Sequence, residues 1–130
     1  LYQWFESYDD LPAVYHEKNE YVKARVGDSM RRAIKAGVKF AFGTDAGAGP
    51  HGRSGKEFTA LVEHGMSPLE AIRTATVNAA DLMDIEDRGR IQVGLLADIV
   101  AVSGNPLENI RLLEDVKFVM KDGKVYKSPN

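Results

Sequence analysis

Apolar positions recur every fourth residue at Val22, Val26, Met30 and Ile34, with Ala33 beside them. That spacing lays one stripe along one side of a helix and predicts a helix over 19–36. Lys23, Arg25, Arg31, Arg32 and Lys35 fall largely off the stripe, as a solvated face does. Gly37 follows as the residue that ends the helix, because glycine enters the left-handed conformation without a side-chain clash. The run 38–42 (Val-Lys-Phe-Ala-Phe) is short, β-prone and mostly apolar, and reads as a strand. A loop with five glycines spans Gly43 to Gly55, and a short helix over 56–64 comes next, closed by Gly65. Ser67 is a good N-cap, Pro68 suits the first helical position, and Glu70 completes an S-x-x-E capping box. Ile72, Ala75, Ala79 and Leu82 then give one helix a buried face as far as Met83.

From Gly89 the texture changes. Residues 91–93, 97–102 and 116–120 are short strand-like runs. Asp122-Gly123 separates the last of them from Val125-Tyr126 and reads as a two-residue hairpin turn. The segment 1–19 carries Tyr2, Trp4, Phe5, Tyr8, Pro12 and Tyr15 with no clean period. It reads as a loop or short helical turns whose aromatic rings anchor a core. The order is therefore helix, strand, helices, then a small β segment, with no internal repeat.

Composition narrows the class. The chain has 130 residues, 44% of them apolar and 28% charged, which suits one globular domain or a piece of a larger one. Lys plus Arg is 17 against 19 for Asp plus Glu, so no basic excess draws it to nucleic acid or anionic lipid. The absence of cysteine excludes a disulfide scaffold and Cys-based zinc sites. No apolar run reaches the roughly 18 residues of a membrane helix. The expectation is a soluble, cytoplasmic protein with neither a nucleic-acid nor a membrane partner. Its first residue is Leu1 rather than methionine, which hints at truncation or processing.

Candidate chemistry concentrates in the glycine-rich loop. Gly47, Gly49 and Gly52 spell G-x-G-x-x-G between a strand and a helix. A dinucleotide fold then wants an acid about 20 residues on, at the end of a second strand. Glu70 is near that distance, but its place is the capping box, and no second strand intervenes. A phosphate-binding P-loop fails, with Pro50 at the first glycine position and Glu57 where Ser or Thr would hold magnesium. Asp45 stands just beyond the 38–42 run, where an acid at the end of a barrel strand faces the site. It reads equally as a turn former or a helix cap. His51 reads as a solvated loop residue, His64 as a helix-end residue, and His16 is isolated. The spacing of the three histidines makes no recognisable metal site.

The run Gly43-Thr44-Asp45, Pro50-His51-Gly52, Ser67-Pro68-Leu69-Glu70-Ala71-Ile72, Ala75-Thr76, Asn78-Ala79-Ala80, Gly94, Ala97-Asp98-Ile99-Val100 and Asn105-Pro106-Leu107 closely resembles the C-terminal end of amidohydrolase-superfamily enzymes. The nearest groups are the imidazolonepropionase-like and Xaa-Pro dipeptidase (metal-dependent carboxypeptidase) members. The resemblance extends from the helix near Asn19 to Asp122-Gly123. Arg90 departs from the usual Ser or Thr, and Leu95 from the usual Lys.

The resemblance implies an α/β fold, the C-terminal fragment of a (β/α)8 TIM-like barrel over 1–88 and part of a small flanking β-sandwich over 89–130. The first helix would be the barrel's seventh, residues 38–42 its eighth strand, and the following helix its eighth. A metal-dependent hydrolase of an amide or peptide-like bond in a small molecule is implied. It would use one or two divalent ions, zinc by type, and be a homo-oligomer when complete. Asp45 would be both metal ligand and proton shuttle, and His51 at the pocket mouth would contact substrate. The family's H-x-H and its other ligands would lie upstream. A complete barrel takes about 250 residues, so this chain would be the C-terminal third of an enzyme and inactive alone. A single barrel strand would also have two open edges. A second class stays open: a non-catalytic structural or interaction module completed by a partner chain or a second copy. A nucleotide-binding βα unit is the third.

Overall fold

The computed structural model describes residues 13–44 and 51–129, with only the backbone of 13–15, 19 and 51. The aromatic residues expected to anchor a core from 1–12 lie outside the described residues, as does the side chain of Tyr15.

Helix α1 (Ala13–Lys35) begins six residues before the predicted 19. Nothing in 13–18 breaks a helix, and a proline just ahead of the first turn forfeits no helical hydrogen bond. Val26, Met30 and Ile34 are half-buried along the expected stripe, whereas Val22 is exposed. Gly27 of α1 is buried close to His64, and an added Cβ there would stand 3.1 Å from its Cε1. Gly37 ends the helix as predicted, with φ at +71°. Its N–H donates to the Ile34 carbonyl, and that of Val38 donates to the Ala33 carbonyl.

Residues 38–44 then run without helix, turn or bend, yet no described strand pairs with them. The strand expected over 38–42 is therefore not formed as a sheet member. A strand exists through its ladder, and no described residue supplies one.

A 3-10 turn (His51–Arg53) leads into α2 (Lys56–Glu63), closed by Gly65 at φ +104°. The capping box at Ser67 is present in full. The Ser67 hydroxyl accepts from the Glu70 N–H, while the Glu70 carboxylate accepts from the Ser67 N–H at 3.1 Å and from its hydroxyl at 2.5 Å.

The single helix expected from Ser67 to Met83 is two helices, α3 (Pro68–Thr74) and α4 (Val77–Leu82). Side-chain hydroxyls compete for the carbonyls at the break. Thr74 Oγ1 donates to Ala71 O at 2.7 Å and Thr76 Oγ1 to Ile72 O at 3.0 Å. The N–H groups of Ala75 and Thr76 reach back only three residues, to Ile72 and Arg73. Gly89 closes on the break at φ +89°, and a Cβ there would meet Ala80 Cβ at 2.8 Å and Thr76 O at 3.1 Å.

The core at this junction is made of small residues. Ala71 is 0% and Thr74 1% exposed, with Ala60, Met66, Ala80 and Ile110 also buried. Helix α2 packs on a 3-10 helix (Ile110–Glu114) that the apolar pattern did not predict. Its cap is Asn109, whose side chain accepts from the Arg111 N–H.

Three antiparallel strands follow in the order β1 (Ile99–Ala101), β2 (Phe118–Lys121), β3 (Lys124–Lys127). Val100 pairs with Val119 and Lys121 with Lys124, around a register shift at 119/120. Asp122 and Gly123 both take positive φ, +49° and +71°, so the predicted hairpin turn is of the mirror-image type. Asp98 Oδ1 ties that turn to β1 by accepting from the Asp122 N–H at 2.8 Å. Residues 91–93 form no strand, and Ile91 and Val93 are 84% and 99% exposed. Among the described residues no helix is long and apolar enough to cross a membrane.

The two hydrogen bonds from Ser67, the side-chain one foremost, hold the Glu70 carboxyl below its ordinary value of 4.5. A lowered folded-state value means stability that is present above the unfolded value and lost as pH falls through the folded one. Glu70→Gln should therefore melt below the wild type at pH 7, and the gap should narrow as pH falls below 4.5. Thermal melts of both chains across that pH range check it.

Candidate functional site

Position 45, where the sequence leads one to expect an acid of the site, is flanked by two described segments. The 38–44 segment leads to it, and the turn His51–Arg53 leads away. Asp45 lies outside the described residues. His51 is placed by its backbone at the head of that turn, and its side chain is outside them as well.

The approach to position 45 is fixed from one side by α2, α3 and α4. The Phe42 ring stacks on Phe58 of α2 with centroids 4.6 Å apart. The Phe42 N–H donates to the carbonyl of Thr74, the last residue of α3, at 2.9 Å. Asn78 Nδ2, in the first turn of α4, donates to the Phe40 carbonyl at 2.9 Å. Lys39 pairs with Asp81 at 3.0 Å, and Asp81 also meets Arg90 at 3.5 Å.

Asn78 and Thr74 were not singled out for this role by sequence reasoning. A signal was available in Asn78, a weak helix former set inside the apolar run Val77–Ala80.

The exit side is a packing arrangement. Gly55 has an ordinary helical φ of −59°, so its lack of a side chain serves space rather than conformation. A Cβ on it would stand 2.5 Å from Leu113 O and 2.7 Å from Glu114 Cα. Thr59 of α2 then donates to Glu114 at 2.8 Å. This glycine is thus closed against the chain's own backbone instead of opening toward a phosphate. Around Gly52, by contrast, an added Cβ meets nothing within 4 Å.

The other two histidines sit apart. His16 lies near the start of α1. His64 caps α2 and touches α1 at Gly27 and at Arg31, whose Nη1 is 3.5 Å from its Nδ1. At 1.5 Å per residue, Gly27 is about 16 Å along the axis from His16. The eight residues of α2 stand between His51 and His64. Among the described residues no three His, Cys, Asp or Glu side chains gather closely enough to hold a metal ion. The described part thus offers no ligand set of its own for the divalent ion that the resemblance implies.

Shifted acidities belong to solvated pairs. The side-chain bond from Arg88 holds the Asp87 carboxyl below its ordinary range, and the one from Lys117 does the same for Asp115.

The profile of the Amidohydrolase family matches residues 16–126. Ochratoxinase of Aspergillus niger is 42% identical over 103 residues, which make up 75% of this chain and 21% of ochratoxinase. Among solved structures, a Xaa-Pro dipeptidase with methionine bound in its active site is similar at a TM-score of 0.84 and 44% identity, over 95% of this chain and 31% of that one. A prolidase complexed with N-methylphosphonate-L-proline is similar at 0.77 and 32%, over 92% and 30% respectively. The chain spans about a fifth of the ochratoxinase and under a third of each of these two structures.

The two loop glycines separate packing from ligand approach. Gly55→Ala should destabilise the chain by about 1–3 kcal/mol, the range for forcing a methyl into packed structure. Gly52→Ala should be close to neutral. Urea unfolding of both variants checks this, and equal effects would overturn the packing role of Gly55.

Proposed function

We propose, from the premise that this chain belongs to the amidohydrolase family, that it is the C-terminal portion of a hydrolase cleaving an amide or peptide-like bond. The type would be a dipeptidase or carboxypeptidase. The observation that carries the reading is the likeness to the Xaa-Pro dipeptidase across 95% of the chain. The similar prolidase with a proline-containing phosphonate points the same way.

In this reading residues 1–88 belong to the barrel, with α1 as its seventh helix and 38–42 as its eighth strand. Residues 89–130 belong to the flanking β-sandwich. The eighth strand finds its ladder only when the rest of the barrel is present, which accounts for its unpaired state here. Exposed Ile91 and Val93 are then surface that the remainder of the enzyme covers.

Asp45 is proposed as a metal ligand and as the group that moves the proton, and His51 as a substrate contact. The remaining metal ligands would come from outside this chain. A divalent ion held there, zinc by type, would lower the pKa of its bound water, to about 7 in well-known zinc sites. The Asp45 carboxylate takes the proton from the attacking water and gives it to the departing nitrogen, so one group serves both halves of the hydrolysis. A carboxylate suits both tasks because it accepts when ionised and donates when protonated.

The test is made on the longer parent enzyme with a panel of Xaa-Pro dipeptides. Asp45→Asn should retain the fold and lose about 10²–10⁴-fold in kcat, the usual worth of a positioned acid–base group. A loss below tenfold would contradict the proton-shuttle role. The 130-residue chain alone should hydrolyse none of the panel. Adding the remainder of the parent in trans should restore turnover.

A further inference from the structure

The break between α3 and α4 has a use beyond ending a helix. In an unbroken helix the Thr74 carbonyl would accept from the N–H of Asn78. Here α3 stops at Thr74, and its carbonyl accepts from Phe42 instead, at 2.9 Å. The same break sets Asn78 as the second residue of α4, with its side-chain amide 2.9 Å from the Phe40 carbonyl.

The two bonded groups on 38–44 form a recognisable pair. In a parallel ladder one residue engages its neighbour strand twice. It donates to the carbonyl one residue before its opposite number and accepts from the N–H one residue after. Around Ala41 those groups are the Phe40 carbonyl and the Phe42 N–H. The Asn78 amide and the Thr74 carbonyl thus stand in for one residue of a parallel strand along one edge of the segment. The rest of 38–44 is left for neighbouring strands on both edges, as a closed barrel requires.

We infer that Asn78 is a positioning residue for Asp45. It acts through the Phe40 carbonyl and sets the line and height of the segment whose end carries the acid. The inference rests on the proposed hydrolase reading. Asp45 follows Phe42 by three positions in the sequence. A displacement of about 1 Å at a reacting group can cost 10²-fold in rate. Losing the Asn78 donor leaves the Phe40 carbonyl without its side-chain partner and removes one of the contacts that fix the segment.

Asn78→Ala and Asn78→Asp in the full-length enzyme test this. Asn78→Asp keeps the shape but presents an acceptor to an acceptor. Both should lower kcat about 10–100-fold with KM within about threefold, as expected for misplacement of the reacting group. The aspartate becomes a donor once protonated, so the kcat of Asn78→Asp relative to wild type should recover as pH falls. That of Asn78→Ala should stay level. A kcat within twofold of wild type for both, or identical pH profiles for the two, would overturn the inference. Should the alanine variant fail to fold, the aspartate profile measured against wild type decides alone. Hydrogen exchange on this chain separates the two ideas. If wild type proves inactive, or Asp45→Asn stays active, the hydrolase reading fails. Faster exchange of the Phe42 amide in Asn78→Asp than in wild type would still support the pinning, and unchanged exchange would refute it.

Discussion

An extended backbone cannot satisfy its own hydrogen bonds, and much of this structure is arranged around one such segment. Residues 38–44 carry donors and acceptors on both edges, and a lone strand would have neither edge answered. The chain answers part of one edge with groups from its helices, the Thr74 carbonyl and the Asn78 amide. That requirement makes the α3–α4 break intelligible. A continuous helix would keep the Thr74 carbonyl for itself. The hydroxyls of Thr74 and Thr76, bonded back to Ala71 and Ile72, help end one helix in time to release it.

The small residues at the junction follow from the same requirement. For a helix end to reach the segment's backbone, little side-chain bulk can stand between. Ala71 and Thr74 are nearly inaccessible, and Ala80 is buried beside Gly89. Larger apolar residues lie outward: Leu82, Met83, Ile91 and Val93 are all exposed. Beside them Ile72, Ala79, Ile91, Val100 and Pro106 line a largely apolar cavity of 460 Å³ between the α3–α4 pair and the sheet. The core therefore has its small residues well buried and much of its large apolar surface uncovered. This is the distribution expected of a part that meets more protein than it contains.

Which features could be read in advance follows from the range of the interaction that makes them. The Ser67–Glu70 box, the stop at Gly37 and the Asp122-Gly123 turn each depend on residues within four positions, and each was legible. The helix break was not, because the group that profits from it is Phe42, thirty-two positions away from Thr74. Residues 91–93 look like a strand by composition, but a strand is a pairing, and composition names no partner. The 3-10 helix over 110–114 hid because its clearest mark is a single capping Asn109. The role proposed for Asp45 comes from family resemblance alone. Taken alone, a carboxylate after an apolar run is as good a turn former as a catalyst. Asn78 was visible as a misfit in an apolar helix, and a misfit says that a polar group is wanted without saying where.

Among the features that join the helical part to the β segment, two lie side by side at Gly89 and Arg90, and physical scale separates them. The Lys39–Asp81–Arg90 cluster draws the eye, with two cations on one carboxylate reaching from the extended segment to the loop at Arg90. All three side chains are about half exposed or more, from 46% to 66%. Such pairs in water are worth about 0–1 kcal/mol and weaken with salt. Gly89, one residue earlier, lies so close to Ala80 and Thr76 that a single added carbon would overlap them. That contact is short-ranged, indifferent to salt and intolerant of any side chain, and it abuts the break that frees the Thr74 carbonyl. Gly89 therefore helps register the β segment against the helices, as Gly55 does where it closes on Leu113 and Glu114.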